Sequence, residues 1–287
     1  MLRLITTLLA VVLLLSGGRL LIGPRAFEDH AAQAVWTWRT SGADEIWHKG
    51  FVPIDELSVI PPQVLRKIQH DEEYGWVVAR QLPAPPAEAQ IRWDDGSVMR
   101  TPVIGPREAL TALSPWPEAY SFPDDEAYHL TGATFTTMRL NTVRGMATVP
   151  AWRLYFSDLP GPIDYVAVDR DAAGTVEGAV GNHRSGDQDV SDFEVLDERT
   201  LLVNYEYGSC TRKPLEVRLR VSEAPDVVVL GLDVPDHGTG LCAGTGQSGR
   251  DVIRLDEPLG DRVVLDATSR LPLLCRRAPD ACRSSIA

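Results

Sequence analysis

The tightest constraint on what this chain can fold into is a long succession of short apolar runs broken by turn residues. Between residues 129 and 267 no helical period of useful length appears. HLTGATFTTMRLNTV (129–143), MATVPAWRLYF (146–156), IDYVAVD (163–169), TVEGAV (175–180), LLVNYEY (201–207), LEVRLRV (215–221), DVVVLGLDV (226–234), DVIRL (251–255) and RVVLDA (262–267) each read as a strand. Arg144-Gly145 predicts the turn between the first two, and Pro150 predicts an edge or a bulge.

Upstream the pattern is mixed. FEDHAAQAVWTWRT (27–40) predicts a short helix, and 46–68 predicts a loop with one short helix. GWVVARQL (75–82) predicts a strand, and IRWDDGSVMRTPVI (91–104) a hairpin around Asp94-Asp95-Gly96-Ser97. PREALTAL (106–113) predicts a helix with Pro106 in its first turn. The Pro-rich, aromatic stretch 114–128 predicts a boundary. The fold class expected is α+β, predominantly antiparallel β. A β-sandwich or open barrel over 125–272 follows a smaller α+β portion over 46–113 and an N-terminal apolar helix.

Residues 1–25 read as an address. The run LITTLLAVVLLL (4–15) behind Arg3 has the length of a signal peptide, with Ser16 and Gly18 at the spacing of a cleavage site. Leu20 to Ile22 extend the apolar stretch far enough to span a bilayer, so an uncleaved anchor is the alternative. Ala32-Gln33-Ala34 lies too far downstream to be the cleavage site. LLSGG (14–18) has the shape of a lipoprotein box, but Gly18 stands where the acylated cysteine is required.

The four cysteines, Cys210, Cys242, Cys275 and Cys282, all lie in the last third of the chain. An even number behind an export signal predicts two disulfides. Loop-end positions favour Cys210 with Cys242, and a short ring favours Cys275 with Cys282, inside a C-terminal tail over 273–287. Without a C-x-x-C pair, a zinc site is not expected.

The net charge is −12, and residues 1–25 hold three arginines and no acid, which leaves −15 on residues 26–287. Such a body repels phosphate backbones, so nucleic acid is not an expected partner. No G-x-S-x-G, S-x-x-K or Walker A motif is present, and no G-x-G-x-x-G loop opens a helix after a strand. The glycine-rich GTGQSG (244–249) reads as a flexible loop. His183, Asp187, Asp189 and Asp192 share a loop with oxygen ligands at alternate positions, but it lacks the calcium loop's central glycine and closing glutamate. Asp233, Asp236 and His237 read as a turn. Trp36, Trp38, Trp47, Trp76, Trp93, Trp116 and Trp152 read as packing residues rather than a carbohydrate platform. No cofactor and no metal are expected.

TVRGMATVPAW (142–152) and LDEPLGDRVVLDA (255–267), with YGSC (207–210) and LCAG (241–244), resemble a group of exported envelope proteins of actinobacteria with no assigned activity. The likeness spans 46–272 and implies an extracytoplasmic protein, secreted or held at the cell membrane by its N-terminal segment. The function expected is a non-catalytic binding or structural module facing an unidentified envelope component. The alternative is a carboxylate-based hydrolase with a cleft between the two portions.

Overall fold

The structure, a computed structural model, describes residues 24–70, 75–113, 127–181, 188–209, 215–235 and 245–275. The address over 1–22 and the boundary stretch up to residue 126 lie outside them. The elements run α1 (Pro24–Thr40), α2 (Ala43–Lys49), β1 (Ser58–Val59), α3 (Pro62–His70), β2 (Gly75–Val78), β3 (Glu88–Trp93), β4 (Val98–Pro102), α4 (Pro106–Leu113), β5 (Ala127–Thr142), β6 (Gly145–Phe156) and β7 (Ile163–Val166). Then come α5 (Arg170–Ala173), α6 (Val176–Val180), β8 (Gln188–Asp197), β9 (Thr200–Ser209), β10 (Arg218–Glu223), β11 (Val227–Asp233), β12 (Thr245–Arg254) and β13 (Val263–Asp266). The fold is mixed α+β with mostly antiparallel strands, and β2/β5 and β11/β13 are parallel pairs.

The chain divides into two compact units, one of residues 42–179 and one of 1–41 with 180–287. The division therefore does not fall at 114–128, between the expected 46–113 and 125–272 portions. The reason is strand pairing. The hairpin of β3 and β4 joins the same seven-stranded sheet as β5, β6 and β7, through Arg92 opposite Thr148 and Trp93 opposite Ala147.

In the 42–179 unit, β6 is the central strand and is buried on both faces in succession. Ala147, Val149 and Ala151 pack with Ile91, Trp93, Met138 and Leu140 on one face. Trp152, Leu154 and Phe156 pack with α3, α4, Tyr128 and Leu130 on the other. Consecutive residues of a strand point to opposite faces, so the core changes sides between Ala151 and Trp152. Pro150 sits at this crossing, and it marks neither an edge nor a bulge. Its register with Thr137 is continuous, and the irregularity lies at Leu130/Gly132. On its other side β6 passes from β3 (147–148) to β7 (151–154), and there Pro150 accepts a hydrogen bond from Ala167 N–H (2.8 Å). A residue that lacks an N–H fits where the ladder changes partner.

The other unit holds two three-stranded sheets, β10-β11-β13 and β12-β9-β8. Val190, Phe193, Leu201 and Val203 from one sheet share a core with Val228, Leu230 and Val264 from the other. The opposite face of β11 is covered by α1, whose Phe27, Ala31, Ala34 and Trp38 recur at helical spacing. Gly231 makes room for that helix: a Cβ there would stand 2.9 Å from the Phe27 ring and 3.1 Å from Ala267 Cβ. Gly231→Val is expected to cost about 1–3 kcal/mol by overpacking. A denaturant midpoint equal to the parent's would show that α1 does not sit on β11.

Several sequence expectations change here. TVEGAV (175–180) is not a strand: 176–180 is α6, begun by Gly178 N–H donating to Thr175 Oγ1 (2.9 Å). Val176 and Val180 are buried and lie one helical turn apart, a spacing that also suits alternation over so short a run. GTGQSG is not a flexible loop, because 245–254 is β12, paired with β9 from Thr245/Ser209 to Arg254/Thr200. Gly249 is needed there, since a Cβ would fall 2.5–2.7 Å from the Tyr205 ring. The tail expected from 273 onward begins inside the fold. Leu273 is buried, its N–H donates to Val264 O (2.8 Å), and Cys275 bridges Phe193. Cys275 is disulfide-bonded; Cys210, Cys242 and Cys282, and with them the expected pairing, lie outside the described residues.

Candidate functional site

A pocket of about 550 Å³ opens in the 42–179 unit, within the range of small-molecule sites. Three segments build it: the Pro-rich loop from Gln81 to Pro85, the β4–α4 junction from Val103 to Glu108, and Asp169. Backbone bonds lock the last two together. Ile104 N–H donates to Ala167 O (2.9 Å), Asp169 N–H to Pro102 O (3.0 Å), and the Trp152 indole N–H to Ile104 O (2.8 Å). Leu82, Val103, Ile104 and three prolines supply its apolar lining, and Gln81, Arg107, Glu108 and Asp169 are its polar side chains, in an opening that is broad to solvent.

One of the two carboxylates already has structural work. Asp169 is the N-cap of α5, its Oδ1 accepting from Ala172 N–H (3.0 Å). Glu108 folds back over the start of α4, close enough that a Cβ on Gly105 would collide with its Oε2. Arg107 and Glu108 are exposed.

A second constellation lies at the end of β6. Asp158 Oδ2 accepts from His129 N–H (2.9 Å) and lies 2.9 Å from His129 Nδ1. The backbone N–H and ring of His129, followed by the Ser157 hydroxyl (3.0 Å), hold the Asp158 carboxyl below the usual range against the opposing effect of burial. Ser157 thus donates to the carboxylate and not to the imidazole, so the three do not form a nucleophile relay.

Among the described residues, those weighed from sequence are not gathered into one site. Asp189 and Asp192 belong to β8 rather than a loop, and the Asp192 carboxylate accepts from Asn204 Nδ2. Asp233 ends β11, with its carboxylate 4.0 Å from Arg220 Nη1. His183, Asp187, Asp236 and His237 lie outside the described residues. Among the described residues, no three His, Cys, Asp or Glu side chains converge as metal ligands. Trp38, Trp93 and Trp152 are fully buried, and Trp36 on α1 is 65% exposed. The pocket was not legible beforehand, because its segments are separated by up to 88 positions and join only through the 102–104/167–169 pairing.

Among the described residues no helix is long and apolar enough to cross a membrane. No protein-family model matches the chain, and the searches of curated proteins and of solved structures return no match.

Proposed function

We propose that this chain is a non-catalytic binding or structural module working outside the cytoplasm at the cell envelope, with the 81–108/169 pocket as its ligand seat. The observation that carries the reading is that Asp169, one of the pocket's two carboxylates, is committed to the start of α5, so Glu108 has no second free acid beside it in the lining. A hydrolase of the carboxylate type needs one acid poised to donate a proton and another free to act as base or nucleophile. The open lining of mixed polar and apolar side chains suits a ligand held at the surface, with Arg107 at hand for an acceptor group. The apolar run over 4–22 and the late cysteines support the extracytoplasmic location. The shared core of the two three-stranded sheets supports a small β-sandwich in the second unit.

Two measurements test this. Residues 1–40 fused to a reporter active only outside the cytoplasm should give activity, and an inactive reporter inside the cell removes the location. The purified chain should turn over no member of a panel of chromogenic esters and glycosides. Turnover that disappears in Glu108→Gln or Asp169→Asn would replace the module with the hydrolase.

A further inference from the structure

We propose that α1 seats its unit directly on the membrane surface, because the chain has no spacer between its apolar segment and its first packed side chain. The inference rests on the extracytoplasmic reading above with residues 4–22 kept as an uncleaved anchor, and it adds the lipid bilayer as the partner. The apolar stretch ends at Ile22, and Phe27 is already packed against Gly231. Of the four residues between them, Pro24, Arg25 and Ala26 belong to α1.

The helix cannot serve as the spacer itself. Ala31, Ala34 and Trp38 are buried, the Arg220 guanidinium lies 5.5 Å from the Phe27 ring centroid, and Arg39 makes a bidentate pair with Asp226. Pulling α1 away would open the outer face of β11, where Val227 and Val229 are fully buried. At about 3.5 Å per extended residue and 1.5 Å per helical residue, Gln33 can stand no more than about 20 Å from Ile22.

Charge does not provide this contact. With −15 on residues 26–287, the body is repelled by anionic lipid, so covalent attachment through 4–22 has to hold it there.

The test uses the full chain reconstituted in vesicles of phosphatidylcholine and phosphatidylglycerol carrying headgroup nitroxide lipids. A dye is borne on an unnatural residue at Gln33, an exposed position of α1. A second version carries thirty Gly/Ser residues between Gly23 and Pro24, which adds about 30 Å of root-mean-square reach and leaves α1 intact. Quenching of the native chain is expected to be at least about twofold stronger than that of the spacer version, because a flexible tether dilutes the dye away from the surface. Equal quenching overturns the seat. So does an exported form whose N-terminus begins near Arg19, which leaves the location standing. A reporter silent outside the cytoplasm instead overturns the location itself.

Discussion

Arg262→Ala is expected to destabilise its unit by about 3–5 kcal/mol, the scale set by breaking a buried ion pair from one side. The Arg262 side chain is only 9% exposed and that of its partner Glu223 17%. Arg262 Nη1 donates to Glu223 Oε2 (2.8 Å), Nη2 to Glu257 O (2.7 Å) and Pro258 O (2.8 Å), and Nε to Leu259 O (3.2 Å). Glu223 also accepts from the N–H groups of Asp256 (2.6 Å) and Glu257 (3.3 Å). One guanidinium thus closes the 256–262 turn onto the end of β10, and its loss takes the counter-charge from the Glu223 carboxylate and the side-chain donor from the Glu257 and Pro258 carbonyls. Glu223→Gln keeps an acceptor for one of the two N–H groups, which use different carboxylate oxygens, and should cost less, about 1–3 kcal/mol. Burial raises the Glu223 carboxyl, but the Asp256 N–H, Arg262 and the Glu257 N–H together hold it below its ordinary value. A carboxyl depressed on folding stabilises above its unfolded pKa and loses that contribution as pH falls through the folded value. The parent should therefore weaken more than Glu223→Gln on acidification below about pH 4.5. Denaturant midpoints read both effects, and a loss under about 1 kcal/mol for Arg262→Ala would reduce the network to surface decoration.

Asp266 is expected to show the opposite pH dependence. Its side chain belongs to a residue only 2% exposed at the end of β13, where Oδ2 accepts from Thr268 N–H (3.1 Å) and Ser269 N–H (2.6 Å). Burial pushes this carboxyl above its ordinary value despite bonds from the backbone and hydroxyl of Ser269 and the backbone of Val190 and Thr268. A carboxyl raised on folding contributes stability that is full below its unfolded pKa, near 3.9, and is lost as pH rises through the folded value. Asp266→Asn keeps the carbonyl acceptor and removes the charge. Relative to it, the parent should lose up to about 1.4 kcal/mol per pH unit across that window. Asp266→Ala should cost about 3 kcal/mol or more at any pH, because several backbone donors lose their acceptor at once. Stability curves of parent and Asp266→Asn that run parallel from pH 4 to 7 would show that the carboxyl does not titrate on folding.

Much of the secondary structure was legible because its signals are local. Pro106 opens α4, Asp95 and Gly96 form the β3–β4 turn, and 227–233 forms a strand where an unbroken valine run predicts one. The Asp95 carboxylate accepts from Ser97 N–H (2.7 Å) and Gly96 takes a φ of 86°, both of which the DDGS sequence anticipates. Glycines misled where their role was tertiary. Gly249 marks the underside of a tyrosine ring and Gly231 the footprint of a helix, and neither close approach leaves a local trace. Arg262 was visible only as part of the turn PLGDR, since its partner Glu223 is 39 residues away.

Sequence alone determined the strand-rich character, the helix over 27–40, the hairpin turns and the acidic charge, because each depends on neighbours within a turn or an alternation. The tertiary structure decided where the chain divides, which faces of β6 and β11 are buried, and which acids are free for chemistry. Those outcomes depend on which distant strands pair: β3 with β6, and 102–104 with 167–169. Pairing of this kind is chosen by the burial of whole faces, a sum over both partners that no single segment carries.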